Sequence, residues 1–258
     1  MKKKKQNRLI NFICVFIGIS ILLFIWEISS KTFNNYQIFP DVILTFEKSL
    51  QLLSDPKIYL AILTSLGVCL ITLIISFILA IIMGILSGLF EPINKILTPL
   101  ISVMKVAPTA VIVILLLVFV KSSISIITVI FLVVFPILYE SIVNGIKNID
   151  KYIILSLKLE GIYKFNSIFK VIIPTIMPYI YLGIMQSIGL SMKVEIMAEI
   201  VIGSQSIVGM GYYVYQAYAI NADFIELFGL VLIILFTFGL VDLLLFKLKN
   251  ILKKENFL

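Results

Sequence analysis

The sequence predicts an all-α protein that crosses a membrane several times, and three observations support this. Of its 258 residues, 61% are hydrophobic and only 14% are charged, whereas soluble domains are near half apolar and a quarter charged. The apolar residues form unbroken stretches of about 20 residues or more, the length that an α-helix needs to cross a bilayer. The basic residues gather at the ends of these stretches. Together these features are typical of a polytopic membrane protein.

Six transmembrane helices are predicted in order along the chain. The first, at 9–28, begins after four lysines and is expected to stay as an uncleaved anchor, because its apolar core is longer than that of a signal peptide. The core spans occupy 59–246, and we expect one transmembrane domain over 1–258. The predicted spans lie near Leu9–Ile28, Tyr59–Leu89, Leu97–Val120, Ile124–Val143, Ile172–Ile202 and Phe224–Phe246.

The distribution of basic residues predicts the orientation of these spans. If the N-terminus is inside, 16 of the 21 lysines and arginines lie at cytoplasmic ends of spans, four lie outside, and Lys193 falls within a span. Lysine and arginine are enriched in cytoplasmic loops of membrane proteins. We therefore expect both termini in the cytoplasm.

Composition also excludes several kinds of chemistry. The chain has no histidine, which rules out histidine-containing zinc sites and Ser-His or Cys-His nucleophilic machinery. It has no Walker-type glycine-rich loop, so it cannot hydrolyse ATP through a P-loop of its own. The basic residues behind the net charge of +7 flank apolar spans, and no aromatic residues are interleaved with them on a basic face. This pattern argues against a nucleic-acid-binding role. We expect no catalytic residue, no metal site and no cofactor bound by this chain.

A basic, amphipathic segment at about 147–170 separates two very apolar spans; we call it the coupling loop. Asp150 is expected to cap a helix that ends at Gly161, since glycine adopts the left-handed conformation at little cost. The chain then returns to Pro174 in the first turn of the next span, where a missing N–H is tolerated. This compact geometry predicts a docking element, and a helix resting on lipid headgroups is the alternative.

The fifth predicted span carries three ionisable residues, Lys193, Glu195 and Glu199. Such groups are costly within a membrane and usually face a bundle interior or a wet cavity. Glu195 and Glu199 are one turn apart on a shared face, and Lys193 lies on another side, so a within-helix ion pair is not expected. Two interpretations stay open. The three residues line or gate a conduit, or they serve structural packing, with the acids bonded to neighbouring helices or to a partner subunit.

The stretch after this span is too polar and glycine-rich to cross a membrane. It contains Gly209 and Gly211. Serine, glutamine and glycine suit irregular backbone that lines a cavity or an outer gate, and an ordinary outer loop is the alternative.

The coupling loop resembles the signature of the transmembrane subunits of ABC importers, the binding-protein-dependent permeases. Nine residues follow Gly161 before Val171-Ile172-Ile173-Pro174, similar to the family's Gly, nine residues and Ile-x-Leu-Pro. Leu155-Ser156-Leu157 stands at the family's Glu-Ala-Ala positions, so a small residue is kept and the acid is missing. On this resemblance, the residues that couple the chain to an ATPase are Asp150, Ser156, Lys158, Glu160, Gly161 and Pro174.

Four further elements are similar, in order, to the nitrate, sulfonate and taurine branch of these permeases. They are Ile38-Phe39-Pro40-Asp41-Val42, Val106-Ala107-Pro108, Met197-Ala198-Glu199 and Gly209-Met210-Gly211. The resemblance implies the fold of a type I ABC importer permease with a cytoplasmic coupling helix. It also implies a translocation pathway or gate formed by Lys193, Glu195, Glu199, Gly209 and Gly211.

The same resemblance implies a function and its partners. The chain would move a small solute, such as an organic or inorganic anion like a sulfonate, or a vitamin precursor, into the cytoplasm by alternating access in a bacterial inner or plasma membrane. Implied partners are the lipid bilayer, a pair of ATPases that bind ATP and Mg²⁺, an extracytoplasmic solute-binding protein and a second copy of this chain, most simply as a homodimer. An ion-coupled secondary transporter built on the three intramembrane charges is one alternative; a purely structural assembly subunit is the other.

Overall fold

A computed structural model of the protein describes residues 2–33, 35–160, 167–203 and 207–254. The described residues form helices and the turns between them, without a β-strand. The chain divides into two compact units. One comprises Met1–Tyr59 and Gln216–Leu235, and the other comprises Leu60–Tyr215 and Phe236–Leu258.

The helices agree with most of the predicted spans. A π-helical turn at Ile168–Ile172 leads into α8, and a second at Gln216–Ile220 follows α9. The α-helices are α1 Lys2–Phe33, α2 Val42–Leu52, α3 Pro56–Leu89, α4 Glu91–Val106, α5 Thr109–Phe119, α6 Ser122–Lys147, α7 Lys151–Glu160, α8 Ile173–Ile202, α9 Met210–Tyr215 and α10 Phe224–Lys254.

Within the described residues, five segments are long and apolar enough to cross a membrane. A sixth is added if α4 and α5 count as one bent span. The five are Ile13–Phe33, Pro56–Leu89, Ser122–Lys147, Ile168–Ile202 and Phe224–Lys247. The all-α, polytopic architecture predicted from the sequence is therefore confirmed.

The third predicted span differs from the expectation of one continuous helix near Leu97–Val120. The chain turns by 99° between α4 and α5. Ala107 has extended backbone angles, with φ −64° and ψ 127°. The cause is Pro108, which cannot donate to the helical ladder and disfavours the helical conformation in the residue before it.

In the first unit, aromatic residues fasten α1 to the segment that follows it. The indole N–H of Trp26 donates to the carbonyl of Pro40 at 3.0 Å. The ring of Phe228 lies 5.8 Å from Trp26 and 5.3 Å from Phe39, between ring centroids. The Asp41 carboxylate then caps α2 by accepting the N–H of Leu44 at 2.7 Å, which satisfies an otherwise unpaired donor.

In the second unit, small residues bring α3 and α6 into close contact. A Cβ on Gly84 would lie 2.8 Å from the Ile142 side chain, and one on Gly88 would lie 2.6 Å from Ile146. Small residues at such crossings let helix backbones approach closely, which favours packing within membranes. This packing places α3 and α6 around α8, the helix that carries the candidate site.

Candidate functional site

Helix α8 carries all three ionisable residues predicted for the fifth span, and it points them in different directions. Glu195 and Glu199 are 0% and 2% exposed, whereas Lys193 is exposed. The structure thus brings the two acids together in the protein interior and separates the lysine from them. As expected from the helical spacing, Lys193 makes no ion pair with either acid in the described part of the chain.

Glu199 holds the first turn of α9. Its Oε2 accepts the backbone N–H of Gly211 at 2.7 Å and that of Tyr212 at 3.3 Å. The first N–H groups of a helix have no partner within the helix, and a carboxylate is favourable at this positive end. The irregular backbone predicted for this stretch is therefore corrected from Met210 onwards, where a short helix begins.

Ser65 on α3 supports the same turn from the other side. Its Oγ accepts the N–H of Met210 at 3.0 Å across 145 residues of sequence, and the side chain is buried. Sequence reasoning missed this residue. The available signal was a hydroxyl in an apolar span, and two other buried serines of α3, Ser76 and Ser87, carry the same signal without making this contact.

Gly209 and Gly211 are glycines because nothing larger fits. A Cβ on Gly209 would overlap the Glu199 carboxylate and the Ser65 hydroxyl. A Cβ on Gly211 would lie 2.6 Å from both the Glu199 Cβ and the Ile196 carbonyl oxygen. We call Ser65, Glu199, Gly209 and Gly211 the latch, since they fix α9 to α3 and α8.

Glu195 lies one turn before the latch and has Ser65 and Glu199 as polar neighbours. Within the described residues, neither of its carboxylate oxygens has a hydrogen-bond partner, and Oε1 of Glu199 also lacks one. Buried polar atoms without partners are rare in folded proteins, and intramembrane acids are commonly functional. Glu195 is therefore a candidate functional residue on its own account.

In the coupling loop, α7 begins where the sequence predicted. The Asp150 carboxylate accepts the N–H of Tyr152 at 2.7 Å, and Ser156 is exposed with its hydroxyl bonded to the Ile153 carbonyl at 2.9 Å. Pro174 lies in the first turn of α8, also as predicted. The side chains of Lys158 and Glu160, and the whole of Gly161, lie outside the described residues.

Two faces of α7 have opposite surroundings. Leu157 is 5% exposed and joins the core of the second unit. Large apolar side chains on another face are left uncovered: Tyr152, Leu155 and Leu159 are 82%, 58% and 85% exposed. Sequence reasoning did not single out these three residues, although their spacing of three and four places them on one side of a helix.

A polar cavity of about 230 Å³ lies between α4 and α6. At its edge, the Lys105 ammonium contacts both carboxylate oxygens of Glu140, at 2.8 and 2.9 Å. The remaining lining is largely amide, hydroxyl and amine, from Asn94, Thr98, Ser102, Tyr139, Asn144 and Lys147. The lining comes from α4 and α6, two helices that are not consecutive in the sequence, which explains why the sequence alone did not indicate the cavity.

Comparisons with known proteins agree with this architecture. Three curated relatives, each described as bicarbonate transport system permease protein CmpB, come from Synechococcus elongatus, Synechococcus sp. and Synechocystis sp.. Each is 34% identical over 131 residues, which cover 50% of this chain and 46% of the relative. The match thus spans about half the length of these relatives.

A solved structure shares the fold. A crystal structure of an amino acid ABC transporter with histidines superposes with a TM-score of 0.65 at 16% identity, covering 81% of this chain and 98% of that chain. A family model described as binding-protein-dependent transport system inner membrane component matches residues 76–255, well over half of the sequence. The chain is therefore a member of the family of binding-protein-dependent transport system inner membrane components.

Proposed function

We propose that this chain is the permease subunit of an ABC importer and carries a small anion into the cytoplasm by alternating access. The observation that carries the proposal is the two-faced helix α7. Leu157 anchors it in the core of the permease, while Tyr152, Leu155 and Leu159 remain uncovered. A helix with one face buried and a second apolar face exposed is suited to dock in a groove of another protein.

The occupant of that apolar face is an ATPase subunit. Family membership supports this assignment, since the family's members work in binding-protein-dependent transport. In this mechanism ATP and Mg²⁺ bind to a pair of ATPases, and their closure moves α7 and the helices attached to it. The permease contributes no catalytic residue; Asp150, Ser156, Lys158, Glu160, Gly161 and Pro174 shape the docking element.

The latch is the proposed outer gate. It joins α3, α8 and α9 through one carboxylate, one hydroxyl and two glycines. A movement of α8 that withdraws Glu199 breaks the hydrogen bonds that its carboxylate accepts from the N–H groups of Gly211 and Tyr212. The first turn of α9 then keeps its bond to Ser65 and loses its attachment to α8. Glu199, Gly209 and Gly211 thereby gate the pathway, and Lys193 is a further pathway residue. The buried Glu195 belongs to the gate, beside the latch.

The solute is a small anion. The curated relatives are named for bicarbonate, and the sequence elements described above resemble permeases for nitrate and sulfonates. An extracytoplasmic binding protein delivers the solute. A second copy of the chain completes the conduit in the plasma membrane, because six spans in one copy are too few to enclose one.

The docking face can be tested by co-purification and ATP hydrolysis. The chain is co-expressed with a candidate ATPase and a candidate binding protein from the same organism, and Leu159→Asp places a charge in the apolar face. We expect at least a tenfold loss of solute-stimulated ATP hydrolysis and loss of co-purified ATPase. Leu159→Met keeps an apolar side chain of similar size at the same exposed position and should leave both readouts near the parent level.

Two results would contradict the proposal. The first is normal stimulated hydrolysis with Leu159→Asp in a correctly inserted protein. The second is solute uptake that continues without the ATPase and follows an ion gradient, which is the behaviour of a secondary transporter.

A further inference from the structure

Helix α8 has two polar side chains on a face that no other described helix covers. Gln186 and Lys193 are both exposed, and their spacing of seven residues places them within about 20° of each other around the helix. Gly189 lies between them on the same side, and a Cβ added there would meet no atom within 4 Å. The described chain therefore leaves the face formed by Gln186, Gly189 and Lys193 uncovered; we call it the polar face.

The polar face is poorly suited to contact with lipid. Lys193 is nine residues from the end of α8 at Ile202, a rise of roughly 13 Å at 1.5 Å per residue. An extended lysine side chain spans only about half of that length, so the ammonium does not reach the end of the helix. An ionisable group on an apolar membrane helix usually faces a bundle interior or a water-filled cavity.

No counter-ion neutralises this ammonium in the described part of the chain. Five ion pairs are formed there, and none includes Lys193. The two acids of α8 are turned into the interior, where Glu199 is bonded to α9. The lysine and the acids, which the sequence placed in one group, thus belong to two different environments.

We propose that the polar face lines a water-filled conduit and binds a small oxyanion there, with Lys193 supplying the charge and Gln186 an amide N–H. This inference rests on the proposed permease function and goes further, because it assigns cargo selection to Lys193 and removes Glu195 from the conduit wall. An ammonium paired with a neutral amide donor suits a monovalent carboxylate, bicarbonate or sulfonate group. A cation would be repelled at the same point, so the site discriminates by sign of charge.

Thiol modification tests this inference without knowledge of the cargo. Cys14 and Cys69 are first replaced by alanine, and Gln186→Cys is then introduced into the full transporter in native membranes. The thiol is treated with two methanethiosulfonate reagents of similar size, one carrying a sulfonate and one a trimethylammonium group. The measured quantity is the ratio of the two reaction rates, which reports the sign and strength of the local potential.

The expected result is a preference for the anionic reagent that depends on Lys193. Relative to the Gln186→Cys background, Lys193→Gln should lower the anionic-to-cationic rate ratio at position 186 about fivefold or more, and Lys193→Arg should preserve it. Glu195→Gln is the matched control, since this acid faces the interior of the same helix, and it should change the ratio less than twofold. Ile78→Cys, an exposed apolar position of α3, should react with neither reagent.

The inference is overturned by either of two results. One is a thiol at position 186 that neither reagent modifies, and the other is a rate ratio that Lys193→Gln leaves unchanged. If Gln186→Cys does not insert, Gly189→Cys reports on the same face, because the space around its Cβ is open. If the parent transporter shows no ATP-driven uptake but the rate ratio at position 186 still depends on Lys193, the importer function is contradicted and the anion site stands.

Discussion

The carboxylate of Glu199 accepts the backbone N–H of Gly211 at a distance of 2.7 Å. This bond joins the C-terminal end of α8 to the first turn of α9, and the absence of a side chain on Gly211 makes the approach possible. The pair therefore explains why an acid in a membrane helix and a glycine twelve residues later occur together. Glu199 can therefore act in two ways, as a hydrogen-bond acceptor and as a negative charge.

Substitutions of Glu199 should separate these roles. Glu199→Gln keeps an oxygen for the N–H groups of Gly211 and Tyr212, so we expect normal assembly and a melting temperature close to the parent. Glu199→Leu leaves those donors buried and unpaired, at a cost of about 1–3 kcal/mol each, and should lower the melting temperature. If the charge gates the conduit, the glutamine variant should transport less. Thermal unfolding in detergent and solute uptake in vesicles measure the two effects; parental uptake by Glu199→Gln would refute a gating role of the charge.

The glycine of the latch should not tolerate even one added methyl group. In Gly211→Ala the new Cβ would lie 2.6 Å from the Ile196 carbonyl oxygen, and backbone cannot move aside as a flexible side chain can. We expect destabilisation of about 1–3 kcal/mol from this overpacking. Gly189→Ala is the control, since its Cβ enters open space and alanine favours a helix by up to about 1 kcal/mol. Equal melting temperatures for the two variants would contradict the geometry of the latch.

The ion pair between Lys105 and Glu140 should contribute little to stability. Both side chains are partly exposed, 48% and 41%, and such pairs contribute about 0–1 kcal/mol. Glu140→Lys should cost more than Glu140→Gln, because it adds a like charge beside Lys105 and the nearby Lys147. The exchange Lys105→Glu with Glu140→Lys should recover part of that loss. A double-mutant cycle of unfolding free energies measures the coupling; no recovery in the exchanged pair would show that the contact between α4 and α6 does not depend on these charges.

The orientation predicted from the basic residues has a direct test. Reporter fusions after Lys121 and within 221–223 should be active outside the cell membrane, and fusions at Lys164 and Lys253 should be active in the cytoplasm. The reason is that lysine is enriched at the span ends near Lys164 and Lys253, and such enrichment marks the cytoplasmic side. A fusion at Lys164 that reports an outside position would exclude ATPase docking by the coupling loop.

The sequence alone determined where the helices lie along the chain. Long apolar stretches select spanning helices because a backbone in lipid must satisfy its hydrogen bonds internally. Local signals also placed the start of α7 at Asp150 and Pro174 in the first turn of α8. Pro108 was visible in the sequence, yet the 99° turn that it produces was not predicted, since a proline kinks some membrane helices only slightly and breaks others.

The tertiary structure decided what the polar residues of those helices do. Helical spacing separated Lys193 from the two acids, but only packing shows that the acids are buried and the lysine is not. The contact of Ser65 with Met210 joins residues 145 apart, and the apolar face of α7 is recognised only once Leu157 is seen to enter the core. Periodicity fixes the angle between two side chains on one helix, whereas the surroundings of each face depend on which helices pack against it, and a short window of sequence does not encode that choice.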